Sequence, residues 1–339
     1  MEHRIGQSTI DLPRRPRWIA GAALAGRKEG EGPLGAFYDR VVEDDLFGEE
    51  SWEKAERRLF LTACQTCLEK AGLTTADVLL GGDLLNQIIS ASMAARELKV
   101  PFLGLYGACS TMAESLMIGA MLVDGGYVGT ALCAASSHFC SAERQYRFPL
   151  EYGNQRTPTA QWTVTGAGAS LLSLAEAPAI ARVHQVTIGR VTDLGVADAN
   201  NMGAAMAPAA ADTLRRHFTD TGRTAADFDL IITGDLGRVG HDILLALMEE
   251  CGMPLDPARY MDCGLVVFRE DQDTHAGGSG CGCSAITLNS LIVERFRRGE
   301  LRRVLFMATG ALLSTTSSQQ GETIPGVAHA VVLERDDGC

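Results

Sequence analysis

Residues 107–136 read GACSTMAESLMIGAMLVDGGYVGTALCAAS. A cysteine follows small, turn-prone positions, and behind it come an apolar helix-forming run, a glycine turn and a new strand. Apolar and small residues lie almost all round 110–123, which predicts a helix enclosed on every side. The pattern then returns: CGCS at 281–284, a helical run, and RGELRRVLFMATG at 298–310. Cys283 follows Cys109, and Gly299 follows Gly125, by the same interval of 174 residues. Upstream, TTADVLLGGDLL (74–85) is echoed by TAADFDLIITGDLG (224–237), and the copies close on ASLLSLAE and HAVVLE. Self-similarity at half the chain length predicts two copies of one supersecondary unit, since solenoid periods run to about 20–50 residues. The expected fold is α/β with crossover connections and a pseudo-two-fold axis, its halves spanning 1–178 and 179–339.

Working outward, WEKAERRLFLTACQTCLEKA (52–71) has apolar residues at helical spacing, and VPFLGLYGA (100–108) reads as a buried strand. No linker rich in Pro, Gly or Ser separates the halves, so they are expected to pack as one unit. A loop-rich excursion around 140–165, within QYRFPLEYGNQRTPTAQWTVTGAGAS (145–170), is placed to cover a pocket or a partner surface.

Composition narrows the function. The chain has 339 residues, 46% hydrophobic and 21% charged, which is that of a folded protein with a sizeable core. No run approaches the roughly 18 uncharged residues of a membrane span, and the start resembles no secretory signal. A soluble protein is expected, reaching a membrane only through a partner. Ten cysteines without such a signal imply free thiols in a reducing compartment. A formal charge of −12 with no basic block argues against nucleic acid.

Cys109 begins a helix, where orphan N–H groups and the dipole lower a thiol pKa and attract anions; the alternative is a small buried hydrophobe. Cys283, its duplicate, is assigned to core packing. His275, followed by Gly277-Gly278-Ser279-Gly280, sits where backbone can approach a ligand. His138 either reaches the same cavity or ends a strand. Arg144 and Arg147 in ERQYRFP can fork onto a carboxylate or remain solvated on the surface. Cys64 and Cys67 form a Cys-x-x-Cys inside a helix, which favours core or surface thiols over redox chemistry or zinc. GGSGCGCS lacks the Lys of a phosphate loop, so no nucleotide cofactor and no metal are expected.

The duplicated unit, the cysteine elbow and HAGGSGCGCSA (275–285) resemble the thiolase and ketoacyl-synthase superfamily. There such a Cys is acylated and faces the His of a Gly-His-Pro-x-Gly-x-Ser-Gly loop; here Ala276 replaces the Pro and Thr274 the Gly. More closely, LYGACSTMAESL, SSHFCSAERQYRFPLEYG, HAGGSGCGCSAITL and ATGALLSTT resemble the stage V sporulation protein AD family.

That resemblance implies a layered α-β-α-β-α sandwich that binds dipicolinic acid, free or as its calcium chelate. It also implies a homodimer within a membrane-associated transport complex of the spore inner membrane, docked on integral subunits of the stage V sporulation A complex. Related condensing enzymes carry an Asn or His where TGDLGRVG (233–240) offers Asp235, and thiolases a second Cys where ATGALLS (308–314) has none. The acyl-transfer machinery therefore reads as dismantled, with Cys109 and His275 as relics and no catalytic residue; the alternative is a condensing or acyl-transfer enzyme with a Cys109 nucleophile. The ligand is expected to lie between backbone N–H groups at Cys109 and Ser110 and a second anion end at His275, Gly278 and Ser279. His138, Asp235, Arg144 and Arg147 complete the candidate set. The chain's negative charge opposes a dianion, a conflict that calcium chelation would remove.

Overall fold

The computed structural model describes residues 3–146 and 156–335. Arg147, among the candidate residues above, lies outside the described residues. The principal strands are β1 (Arg17–Gly26), β2 (Val78–Gly82), β3 (Phe102–Gly104), β4 (Thr130–Ser137), β5 (Gly166–Ser173), β6 (Ala181–Thr187), β7 (Leu230–Thr233), β8 (Tyr260–Asp262), β9 (Arg303–Ala311) and β10 (Gly326–Glu334). Their order is β3-β2-β4-β5-β1 in the first run and β8-β7-β9-β10-β6 in the second, the same permutation twice. In each run the first three strands are parallel and the last two antiparallel. The runs join where β6 pairs antiparallel with β1, Ala181 opposite Trp18.

Helices α1 (Trp52–Lys70) and α2 (Ile89–Leu98) cover the outer face of the first run; α5 (Met202–Thr221) and α6 (Gly237–Glu250) cover that of the second. Between them lie α3 (Thr111–Asp124) and α7 (Cys281–Thr287), the latter continuing through a π turn, Leu288–Ile292. Alternation along the strands assigns the layers. On β9, Val304, Phe306 and Ala308 face the central helices, whereas Leu305 and Met307 face α5 and α6. On β1, Ala23 and Ala25 point inward and Ala20, Ala22 and Leu24 toward α1. The result is an α-β-α-β-α sandwich.

The central helices are largely enclosed: Met112, Ala113, Leu116, Ala120 and Val123 of α3 and all seven residues of α7 are buried, while Glu114 of α3 is only partly so. Fully burying a side chain such as Phe306 contributes about 2–3 kcal/mol. Close approach also requires small residues. A Cβ on Gly168 of β5 would stand 2.3 Å from the Ala285 carbonyl oxygen of α7.

Two local expectations differ. The strand expected over 100–108 is confined to Phe102–Gly104, since the chain must turn at Tyr106 to enter the elbow, and it is not buried: it ends the sheet with Leu103 exposed. The excursion begins as a helix, α4 (Phe139–Tyr146), anchored where Ser141 Oγ donates to Glu56 Oε2 at 2.7 Å. Cys64 and Cys67 are fully buried in α1. Among the described residues no helix is long and apolar enough to cross a membrane.

Candidate functional site

A tight turn, Ala108–Ser110, joins β3 to α3 and forms the elbow. Ala108 has φ +50°, a left-handed conformation that costs an L residue energy and is held by its surroundings. Ser110 Oγ donates to the Gly107 carbonyl at 2.7 Å and Thr111 Oγ1 to that of Ala108 at 2.7 Å. From behind, β9 presses on the elbow so closely that a Cβ on Gly310 would lie 2.2 Å from the Gly107 carbonyl oxygen.

Over this elbow lies a cleft with about 650 Å³ of empty space, partly open to solvent. Cys109 and Ser279 form its floor; Ala142, Glu143 and Tyr146 of α4 form one wall, and Met202 and Met206 of α5 with Leu313 another. It is mostly apolar, with a few convergent polar groups, as small-molecule sites are. No Lys, Arg or His lines it among the described residues.

Asp235 lies beneath that floor. It is fully buried at the end of β7, and Oδ2 accepts from Gly280 N at 2.8 Å and Ser279 Oγ at 3.3 Å. Oδ1 accepts from Thr309 Oγ1 at 3.1 Å, and the Cys109 thiol faces the same carboxylate. Burial raises the Asp235 carboxyl to about 6 against these hydrogen bonds. Burial first, and the Asp235 charge second, push the Cys109 thiol well above its ordinary value. The helix-terminus effect expected to activate Cys109 is thus outweighed: the site holds a neutral thiol, a poor nucleophile. Next door, Asp262 accepts from Leu236 N and Gly237 N, both at 2.9 Å, and fastens the turn that carries Asp235.

The candidate residues separate. Cys109 and Ser279 meet at the cavity, and Asp235 supports both from below instead of lining it. His275 is not brought to Cys109. Its ring bonds the Thr157 carbonyl (Nδ1, 2.6 Å) and Asp273 (Nε2, 3.1 Å), and it lines a different concavity with Arg238, Phe268 and Arg269. The reason is chain length: the superfamily loop places its Ser five residues after the His, whereas Ser279 follows His275 by four. His275 adopts φ +52°, turning its ring outward.

His138 is also corrected. It is buried, with Nε2 against the Asp45 carbonyl at 2.8 Å and Nδ1 accepting from Cys140 N, so it secures the start of α4 and does not line the cavity. Arg144 points outward to an ion pair with Glu53 and stacks on Trp52. Ser110 is buried as a brace of the elbow, and the Gly278 carbonyl accepts from Gln161 Nε2 at 2.7 Å, so neither lines the cavity. Reasoning from sequence missed Glu143, Tyr146, Met202 and Met206. Glu143 and Tyr146 fall in the excursion expected to cover a pocket, whereas the methionines signalled only an i, i+4 spacing that any core helix shares.

This architecture, duplicated sheet, central helix pair and elbow cysteine, is that of the thiolase-like proteins. Solved structures agree on the fold: 3-oxoacyl-[acyl-carrier-protein] synthase III from Aquifex aeolicus VF5 is similar with TM-score 0.56 at 14% identity, covering 94% of this chain and 99% of that one. Human mitochondrial 3-ketoacyl-CoA thiolase in complex with CoA gives 0.58 at 14% identity, covering 95% and 99%. The family described as Stage V sporulation protein AD (SpoVAD) matches residues 6–334. Stage V sporulation protein AD of Bacillus subtilis (strain 168) is 50% identical over 322 residues, 94% of each chain. The chain belongs to the stage V sporulation protein AD family.

Proposed function

We propose that this protein is a non-catalytic receptor for dipicolinic acid, taken free or as its calcium chelate, within the spore's membrane transport complex. It would serve uptake during sporulation and release during germination. The observation carrying the reading is the buried Asp235 carboxylate facing the Cys109 thiol beneath a mostly apolar cavity. Burial and that charge favour the protonated thiol, and no imidazole lines its cavity among the described residues to remove the proton. The flat faces of the ligand's pyridine ring suit walls of Met202, Met206 and Tyr146. Family membership supports the sporulation setting.

Membrane location would come from docking on integral subunits of the stage V sporulation A complex, peripheral to the inner membrane. Homodimerisation is part of the same proposal. β3 ends its sheet, and Ile89, Met93, Leu103 and Tyr106 stand exposed around it, a surface suited to a second copy.

Calorimetric titration with dipicolinate tests the reading. Saturable one-to-one binding is expected for wild type, weakened at least about tenfold in Leu313→Trp, which fills the cavity mouth. Absence of binding, or binding indifferent to that change, would overturn it. Incubation with acyl-coenzyme A and intact mass measurement addresses the enzymatic alternative: no adduct is expected, and one on Cys109 would establish an acyl-transfer enzyme instead.

A further inference from the structure

Asp235 is enclosed on all sides directly under Cys109 and Ser279, the two residues that floor the cavity. The groups facing it come from every neighbouring element. They are the Cys109 thiol of the elbow, Thr309 of β9, Ser279 and the Gly280 N–H of the short strand and turn, and Cys281 and Cys283 of α7. Asp262 of β8 and Cys263 beyond it complete the shell. None of these is a cation. The cavity above adds the Glu143 carboxylate and, among the described residues, no Lys, Arg or His. A dicarboxylate entering this space meets an ionised Asp235 that is fully buried beneath the floor, where charge is less screened than in water and like charges repel more strongly.

We infer that anion binding in this cavity is coupled to protonation of Asp235, so that one proton enters from solvent with each dicarboxylate bound; this rests on the dicarboxylate reading above. The hydrogen bonds permit the exchange. With Asp235 ionised, Ser279 Oγ spends its proton on Oδ2 over a long 3.3 Å. Once Oδ2 carries a proton it donates to Ser279 Oγ, and the serine hydroxyl turns its own proton into the cavity, toward the ligand carboxylate. Repulsion is thereby replaced by a donor at the place where the anion needs one. Burial, which already favours the neutral acid, makes this proton available near neutrality.

The test is titration of calcium-free dipicolinate, doubly ionised throughout the range, between pH 5.5 and 8 in buffers of different ionisation enthalpy. Wild type should take up close to one proton at neutral pH, and its Kd should rise toward about tenfold per pH unit above the transition. Asp235→Asn, which mimics the neutral acid, should bind with little proton uptake and a flat profile; Glu29→Gln, in a separate concavity, should keep the wild-type behaviour. A wild type that binds without proton uptake overturns the coupling and leaves the receptor reading intact. So does loss of the uptake in Glu143→Gln but not in Asp235→Asn. Absence of binding at every pH removes the receptor reading itself. The wild-type proton count decides the matter even if Asp235→Asn does not fold.

Discussion

The Cys109 thiol faces the Asp235 carboxylate beneath the cavity floor, with the Gly280 N–H bonded to that carboxylate at 2.8 Å. Burial and that charge both favour the protonated thiol. At pH 8 Cys109 should therefore alkylate slowly with iodoacetamide, well after the exposed Cys251, as site-resolved mass spectrometry would record. Asp235→Asn removes the charge that raises the thiol pKa and should speed Cys109 alkylation several-fold. Rapid modification of wild-type Cys109 would contradict the neutral thiol.

His275→Ala should bind dipicolinate with unchanged affinity. The ring lines another concavity, held by Thr157 and Asp273. A loss of tenfold or more would place His275 back in the ligand site.

Arg144→Ala should leave dipicolinate affinity unchanged and lower stability by less than about 1 kcal/mol, since its ion pair with Glu53 is half exposed and screened. Urea unfolding and calorimetry on the same sample check both halves of the expectation.

Glu29 is buried at the base of a second concavity, where Oε1 accepts from Thr165 N at 2.9 Å, and burial raises its carboxyl from 4.5 to about 7. Between those values the folded protein holds more protons than the unfolded chain, so stability falls as pH rises. The cost is absent below about 4.5 and fully present above about 7. Glu29→Gln, which keeps an acceptor for Thr165, should stabilise the protein at pH 8.5 by on the order of 2 kcal/mol and change little at pH 4.5. An equal effect at both values would refute burial of the charge as the cause.

Gly310→Ala would drive a Cβ into the Gly107 carbonyl, backbone against backbone, with no flexible side chain to yield. A loss of about 1–3 kcal/mol is expected, together with weakened ligand binding as the elbow is displaced. Wild-type affinity in a folded Gly310→Ala protein would show that the elbow's position does not set the cavity.

Much of this molecule was legible in the chain itself. The interval of 174 residues that separates Cys109 from Cys283 is a property of covalent order, and it announced two equivalent units before any coordinate was known. Apolar runs and an all-round apolar pattern then assigned strands and an enclosed helix, because burial acts on each residue locally. Aim is different. His275, His138 and Arg144 were chosen for their chemistry, yet a loop one residue short, a helix start and an outward ion pair carry each away from Cys109. Asp235 came to the site from 126 residues farther along the chain, and its carboxylate faces the thiol only because β9, the turn before α7 and the elbow converge on it. Residue type and spacing determine which elements form. Which side chains meet depends on long-range packing, where one residue of loop length redirects a ring and a missing Cβ admits a neighbouring backbone.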